Sequence, residues 1–217
     1  MNIAIIGASG FVGSALVNEA VRRGHNITAI SRHPENIPSH SELVTPKSVD
    51  VNEENTLVQA LNGHDAVLTA FHSGRDDPNQ YDNYLDGHKT IQKVVKKSDV
   101  DRWLVIGGAG SLYTDSGEQL VDTPQFPDEF KEEASAARDY LDILREEDEL
   151  KWTYLSPAVL MNPDINTGRT GNYRKSTENP VFDENGESKI SVEDLAVALL
   201  DELENGDFIR QRFTVGY

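Results

Sequence analysis

Three glycines at positions 7, 10 and 13 follow the apolar run Asn2-Ile3-Ala4-Ile5-Ile6 and open the helical-period segment Val12–Arg23. A strand that turns sharply into a helix leaves the first-turn N–H groups without intrahelical partners, so they form a natural seat for an anion. In such a turn Gly7 permits the tight bend, Gly10 admits a pyrophosphate where a Cβ would stand, and Gly13 lets the helix pack close to the strand. We therefore read Gly7, Ser9, Gly10, Phe11, Val12 and Gly13 as the floor of a dinucleotide site. The competing reading is a tight turn that binds nothing.

The 2′ position of such a ligand is read about 20 residues further on, at the end of the second strand, where an acid accepts from a free ribose hydroxyl. No acid stands there. Ile30-Ser31-Arg32-His33 offers a hydroxyl and a guanidinium, suited to a 2′-phosphate, so NADP(H) is favoured over NAD(H). A solvated turn arginine is the alternative for Arg32. Asp50 and Val51 can meet the adenine, although Asp50 serves equally as an N-cap for the helix expected at Glu53–Leu61. Ala70, Phe71 and Gly107 fall at strand ends that border the cofactor by position. His72 and Pro157 follow strand ends too and are assigned to the substrate side. A lone histidine is more often an ordinary loop residue, and no HExxH-like spacing suggests a metal.

Positioning these residues requires alternating strands and helices. Short apolar runs at Ile3–Ile6, Ile27–Ile30, Leu43–Thr45, Ala66–Ala70, Trp103–Ile106, Trp152–Leu155 and Phe213–Val215 read as strands. Helical periods run over Val12–Arg23, Glu53–Leu61, Leu85–Lys97, Glu129–Glu146 and Val192–Glu204, with Gly24 and Gly63 as stops. The expected fold is α/β: a Rossmann-type, doubly wound, mainly parallel sheet flanked by helices, as one domain over residues 1–217. Substrate-side loops are expected near 72–83, 107–126 and 162–189. Ser191 with Asp194 reads as a helix cap.

The composition narrows the partners. A net charge of −17 repels nucleic-acid backbones and anionic lipid, so neither nucleic acid nor membrane is expected. The absence of cysteine removes disulfides, thiolate metal sites and a cysteine nucleophile. With no export signal or long apolar stretch, a cytoplasmic protein is expected.

The glycine spacing, GxxGxxG, is that of the short-chain dehydrogenase/reductase superfamily. Arg102-Trp103-Leu104-Val105-Ile106-Gly107-Gly108-Ala109-Gly110-Ser111-Leu112, Trp152-Thr153-Tyr154-Leu155-Ser156-Pro157-Ala158 and Arg169-Thr170-Gly171-Asn172-Tyr173-Arg174 resemble an atypical branch of it, the NADH-flavin reductase-like family. Ile190–Ala196 and the closing Phe213–Tyr217 match it as well. That branch is related to NmrA-like proteins and to flavin/biliverdin reductases. The resemblance implies a Rossmann fold, a nicotinamide cofactor and reduction of a flavin such as FMN or FAD.

One departure from the parent superfamily bears on mechanism: no tyrosine is followed four places on by lysine, so the usual Tyr-x-x-x-Lys proton relay is missing. Hydride transfer to a flavin or quinone-like acceptor asks less of the protein than alcohol–ketone chemistry does. Ser111 stands where the superfamily's catalytic serine would be, Tyr113 could add a donor or a stacking face, and Lys131 could replace the missing lysine. Each is also readable as an ordinary loop or surface residue. Arg169, Tyr173 and Arg174 resemble a lid that clamps an anionic or planar substrate, or else pair with surface carboxylates. The expected activity is NAD(P)H-dependent reduction of a small-molecule acceptor. A non-catalytic redox sensor and, further off, a nucleotide-sugar epimerase or dehydratase are the alternatives.

Overall fold

Strand β1 (Asn2–Ile6) is apolar at every position after the first, as a strand buried on both faces must be. In the computed structural model, which describes residues 1–37, 41–74 and 77–217, it lies inside an eight-stranded sheet. The other strands are β2 (Asn26–Ser31), β3 (Val44–Ser48), β4 (Ala66–Thr69), β5 (Arg102–Ile106), β6 (Lys151–Ser156), β7 (Arg174–Ser176) and β8 (Gln211–Gly216). Their order is β3-β2-β1-β4-β5-β6-β8-β7, and every neighbouring pair is parallel except β7 with β8. The chain winds outward from β1 in both directions, which makes this a Rossmann-type doubly wound fold with a topological switch point between β1 and β4.

Five helices cover the sheet: α1 (Phe11–Arg22), α2 (Glu54–Leu61), α3 (Gln80–Lys97), α4 (Lys131–Arg145) and α5 (Val192–Asn205). Side chains alternate across the strands, so Ile3, Ile5, Leu104, Phe213 and Val215 meet Leu16 and Ala20 of α1 and Leu195 and Leu199 of α5. Ala4, Ile6, Val67, Trp103, Val105 and Tyr154 meet Leu57 of α2, Ile91 of α3 and Tyr140, Leu141 and Leu144 of α4. Both faces are thus sealed, and each fully buried large side chain contributes about 1.5–3 kcal/mol. At the end of the sheet β3 is largely exposed and tolerates Pro46, because an edge strand has N–H groups to spare.

Most boundaries shift from the sequence expectation by a residue or two, and a few differences have a physical reason. Helix α3 begins at Gln80 rather than Leu85, shortening the loop expected at 72–83, of which Arg75 and Asp76 lie outside the described residues. Its first turn is polar, but Gln80 is buried and donates to the Gly74 carbonyl at 3.2 Å, a tertiary bond invisible to periodicity. Strand β3 runs on to Ser48, and α4 starts at Lys131 after a short 3-10 turn at Asp128–Phe130. Strand β7, inside the long loop expected at 162–189, has only three polar residues and borrows its regularity from β8. At α5 the Ser191 hydroxyl accepts from the Asp194 N–H at 3.1 Å, as the capping pattern requires.

Candidate functional site

The three glycines answer to different constraints. Gly7 has φ +81°, and a Cβ there would lie 2.4 Å from the Ala70 carbonyl oxygen at the end of β4. A Cβ on Gly13 would lie 2.0 Å from the Gly7 oxygen. The fold itself therefore demands both residues, whatever binds. Gly10, with ordinary φ −76°, would bring a Cβ only to 3.3 Å from the Gly7 oxygen. It stands at the N-cap of α1 with no side chain to satisfy the first-turn amides, which are left for an outside acceptor.

Above this turn opens a cleft of about 390 Å³ at the carboxyl ends of β1, β2 and β4. It brings together Gly7, Ser9, Gly10, Ser31, Arg32, Asp50, Val51, Ala70, Phe71 and His72 of the sequence-predicted set. The Ser9 and Ser31 hydroxyls are 2.6 Å apart, and Ser31 Oγ also accepts from the His33 N–H at 3.1 Å. Arg32 is exposed at this mouth, and its guanidinium has no partner among the described residues. Asp50 is not the N-cap of α2, a place taken by Glu53; its carboxylate accepts from the Asn52 N–H at 2.9 Å and shapes the turn before the helix.

Phe71 forms one wall, and Gly87 of α3 makes room for it, since a Cβ at 87 would meet the ring at 2.3 Å. Sequence reasoning passed over Gly87, although a glycine inside a helical pattern was the available signal. His72 accepts from the Gly74 N–H at Nδ1 and donates from Nε2 to Glu133 of α4 at 2.7 Å, a carboxylate also missed. Phe11, Val12, Gly13 and Gly107 do not line the cleft. Phe11 is 43% exposed, Val12 packs against the core, and Gly107 is glycine because the Tyr154 ring occupies the space of its Cβ.

Of the residues expected on an acceptor side, Ser111 does not line the cleft; it is buried and its Oγ accepts from Arg212 Nη1 at 3.3 Å, which leaves its own O–H free to donate. Tyr113 is held by its backbone N–H on the Glu178 carbonyl at 2.9 Å. Pro157 is buried just beyond β6. Lys131 is exposed in a shallow groove between α3 and α4 that shares no residue with the cleft.

The lid expected from Arg169, Tyr173 and Arg174 is not assembled at the cleft. Arg169 grips Glu19 of α1 through two bonds of 2.7 and 2.9 Å, and the Tyr173 hydroxyl donates to Asp201 of α5 at 2.5 Å. Arg174 donates to the carbonyls of Phe182 and Tyr217. Buried Asp194 fixes the segment between them, accepting from the backbone N–H groups of Thr170 and Gly171 at 2.9 and 2.8 Å. An acidic chain supplied a carboxylate for Arg169 and for the Tyr173 hydroxyl, the backbone supplied acceptors for Arg174, and the loop became a strap over α1 and α5.

The tyrosines buried in the fold are raised, not primed as acids. Burial pushes Tyr84 and Tyr140 well up and Tyr154 up to about 12, while burial and the Asp201 carboxylate raise Tyr173. Tyr113 is the one tyrosine among the described residues whose hydroxyl has no internal partner.

A doubly wound sheet, a glycine turn at its switch point and an open cleft above it define a dinucleotide-binding Rossmann protein. Residues 7–205 match the NAD(P)H-binding family model, and the chain belongs to that family, whose members are oxidoreductase-like. It is 37% identical over 217 residues to the uncharacterized protein YwnB of Bacillus subtilis, covering 99% of this chain and 98% of that one. A candidate NADH-flavin reductase from Streptococcus pneumoniae superposes with TM-score 0.85 at 38% identity, covering 100% and 99% of the two chains. A candidate epimerase from Bacteroides thetaiotaomicron does so with TM-score 0.91 at 42% identity, covering 100% and 96%. The atypical short-chain dehydrogenase/reductase assignment stands on these relatives. None of the described helices is long and apolar enough to cross a membrane.

Proposed function

We propose that this protein is an NAD(P)H-dependent reductase that favours NADP(H) and reduces a flavin, FMN or FAD, or a quinone-like acceptor. The observation that carries the reading is the cleft itself, with an open Gly10, an unpaired Arg32 at its mouth and no tyrosine–lysine relay beside it. When bound, the nicotinamide cofactor supplies hydride. The α1 amides would receive the pyrophosphate, Ser9, Ser31 and Arg32 the 2′-phosphate, Asp50 and Val51 the adenine, and Ala70 and Phe71 the ribose side. Ser111 would donate its free O–H to an acceptor carbonyl, with Tyr113 as a second donor.

Oxidation of NADPH against a panel of FMN, FAD and small quinones tests the reading, and Ser111→Ala should slow turnover by about tenfold or less with NADPH binding intact. Tight NADPH binding without any acceptor raising its oxidation above the protein-free rate removes the reductase reading and favours the redox sensor. The epimerase reading, an alternative from the sequence that a neighbour's description shares, needs a tyrosine with a lowered pKa, and the described tyrosines with resolved shifts move the opposite way. A cytoplasmic location belongs to the proposal, because its reductant is a cytosolic metabolite.

A further inference from the structure

Arg212 is a buried cation that the fold does not explain. On β8, Phe213 and Val215 face α1 and α5, so Arg212 and Thr214 face the other side of the sheet. The Arg212 side chain is 1% exposed, yet its five N–H donors are poorly used. Glu178 takes Nη2, while the hydroxyls of Ser111 and Ser156 take Nη1 only at 3.3 and 3.5 Å. Nε has no partner among the described residues, and neither does the buried hydroxyl of Thr214, which sits across from Ser156 in register. Buried polar groups are normally saturated, and each exception calls for an explanation, of which an absent anionic ligand is one that suits orphaned donors beside a cation.

The charge balance points the same way. Glu178 is 45% exposed and reaches in from the segment after β7, and Arg145 also approaches it at 3.6 Å. Two cations thus converge on one half-exposed carboxylate.

We propose that Arg212, with Ser156 and Thr214, is the seat for an anionic group of the acceptor, a phosphate monoester or a carboxylate, and that Glu178 is a resident carboxylate that the acceptor displaces. The acceptor's identity rests on the reductase reading. The seat for an anion does not, because it follows from the buried guanidinium and its unused donors.

The test compares binding of FMN and riboflavin, which differ by one phosphate, through quenching of flavin fluorescence with no nicotinamide present. Glu178→Gln removes the competing charge and should raise the FMN-to-riboflavin affinity ratio by about threefold or more. Arg212→Met should lower that ratio by about tenfold or more. If Arg212→Met fails to fold, Glu178→Gln at its half-exposed position carries the test alone. A ratio that Glu178→Gln leaves unmoved or a ratio unchanged in a folded Arg212→Met overturns the proposal; if FMN does not bind saturably, the flavin reading fails, and inorganic phosphate titrated into wild type and Glu178→Gln reads the seat instead, equal phosphate affinities overturning it. Because binding is read without turnover, a shifted ratio beside a silent oxidation assay would remove the reductase reading and keep the anion seat.

Discussion

Over β1, β2 and β4 the cleft presents open backbone at Gly10 and an arginine at 32 that no carboxylate among the described residues reaches, whereas over β6 and β8 nearly every charged side chain is already engaged. Arg169 holds Glu19, Arg174 holds two carbonyls, Arg212 holds Glu178, and Asp194 holds the strap between them. The chain carries 37 acidic and 20 basic residues, so a loop cation meets a carboxylate unless the backbone keeps it away. In such a chain the informative observation is an arginine that stays unpaired, or one buried with donors left over.

The largest effect expected separates the glycines of the first region. Gly10→Val should cut NADPH affinity by about a hundredfold or more while the protein still unfolds cooperatively, because the added methyls occupy the ligand's space and almost none of the protein's. Gly13→Val, with its Cβ driven onto the Gly7 backbone, should instead cost the fold itself several kcal/mol, about 3 or more. Calorimetric titration and urea unfolding of both variants check the contrast, and equal behaviour of the two would erase it.

Arg32→Ala comes next. A charge-assisted bond to a 2′-phosphate contributes about 1.5–3 kcal/mol, so NADPH affinity should fall about tenfold or more while NADH affinity barely moves. Equal losses for both cofactors would show that Arg32 stays unpaired for some other reason.

Beneath the cleft wall lies His88, fully buried against Phe71, Tyr84 and Tyr140, with Nδ1 donating to the Tyr84 carbonyl at 3.0 Å and Nε2 unpartnered among the described residues. Burial, abetted by the nearby His72, depresses it from 6.5 to about 4. The unfolded chain therefore binds the extra proton throughout that window, so the contribution is intact above pH 6.5 and is lost as pH falls toward 4. Wild type should lose about 2 kcal/mol between pH 7 and pH 5 beyond what His88→Phe loses, read from urea midpoints. Parallel pH profiles would show that His88 is not held neutral by the fold.

How much of this was legible follows the same division. The glycine turn, the alternation of strands with helices and the Ser191 cap depend on contacts within a few residues, and local pattern carries them. The strap formed by Arg169 and Tyr173 depends on Glu19 and Asp201, 150 and 28 residues away, so residue type suggested a clamp where tertiary pairing made a buttress. Arg212 was invisible for a similar reason: the sequence marks it as one polar residue at the head of an apolar strand, and only burial makes it unusual. Gly107 looked like a cofactor glycine because nothing local announces Tyr154, 47 residues on in the chain by the numbering of the two positions, as its occupant.

The smallest effect expected is also the most direct probe of the second region. Glu19 is almost completely buried; that burial pushes its carboxyl upward, but hydrogen bonds from Arg169 and Arg23 more than offset this and hold it below the usual range. Arg169→Ala removes one of the two hydrogen-bonding partners and leaves Arg23 at 2.9 Å and Arg22 at 3.9 Å, so the carboxylate remains paired. Because Arg169 is itself 37% exposed, solvent screens much of the interaction, and the loss should be about 1 kcal/mol. If the segment is a strap, that modest fall in the urea midpoint is the whole effect, and the KM for any acceptor stays within about twofold of wild type, since Arg169 would hold no substrate. If the segment were a lid over an anionic substrate, the same substitution would raise KM about tenfold or more and leave stability nearly unchanged. The two outcomes differ in which measurement moves, so one variant decides whether the cations over β6 and β8 bind a ligand or one another.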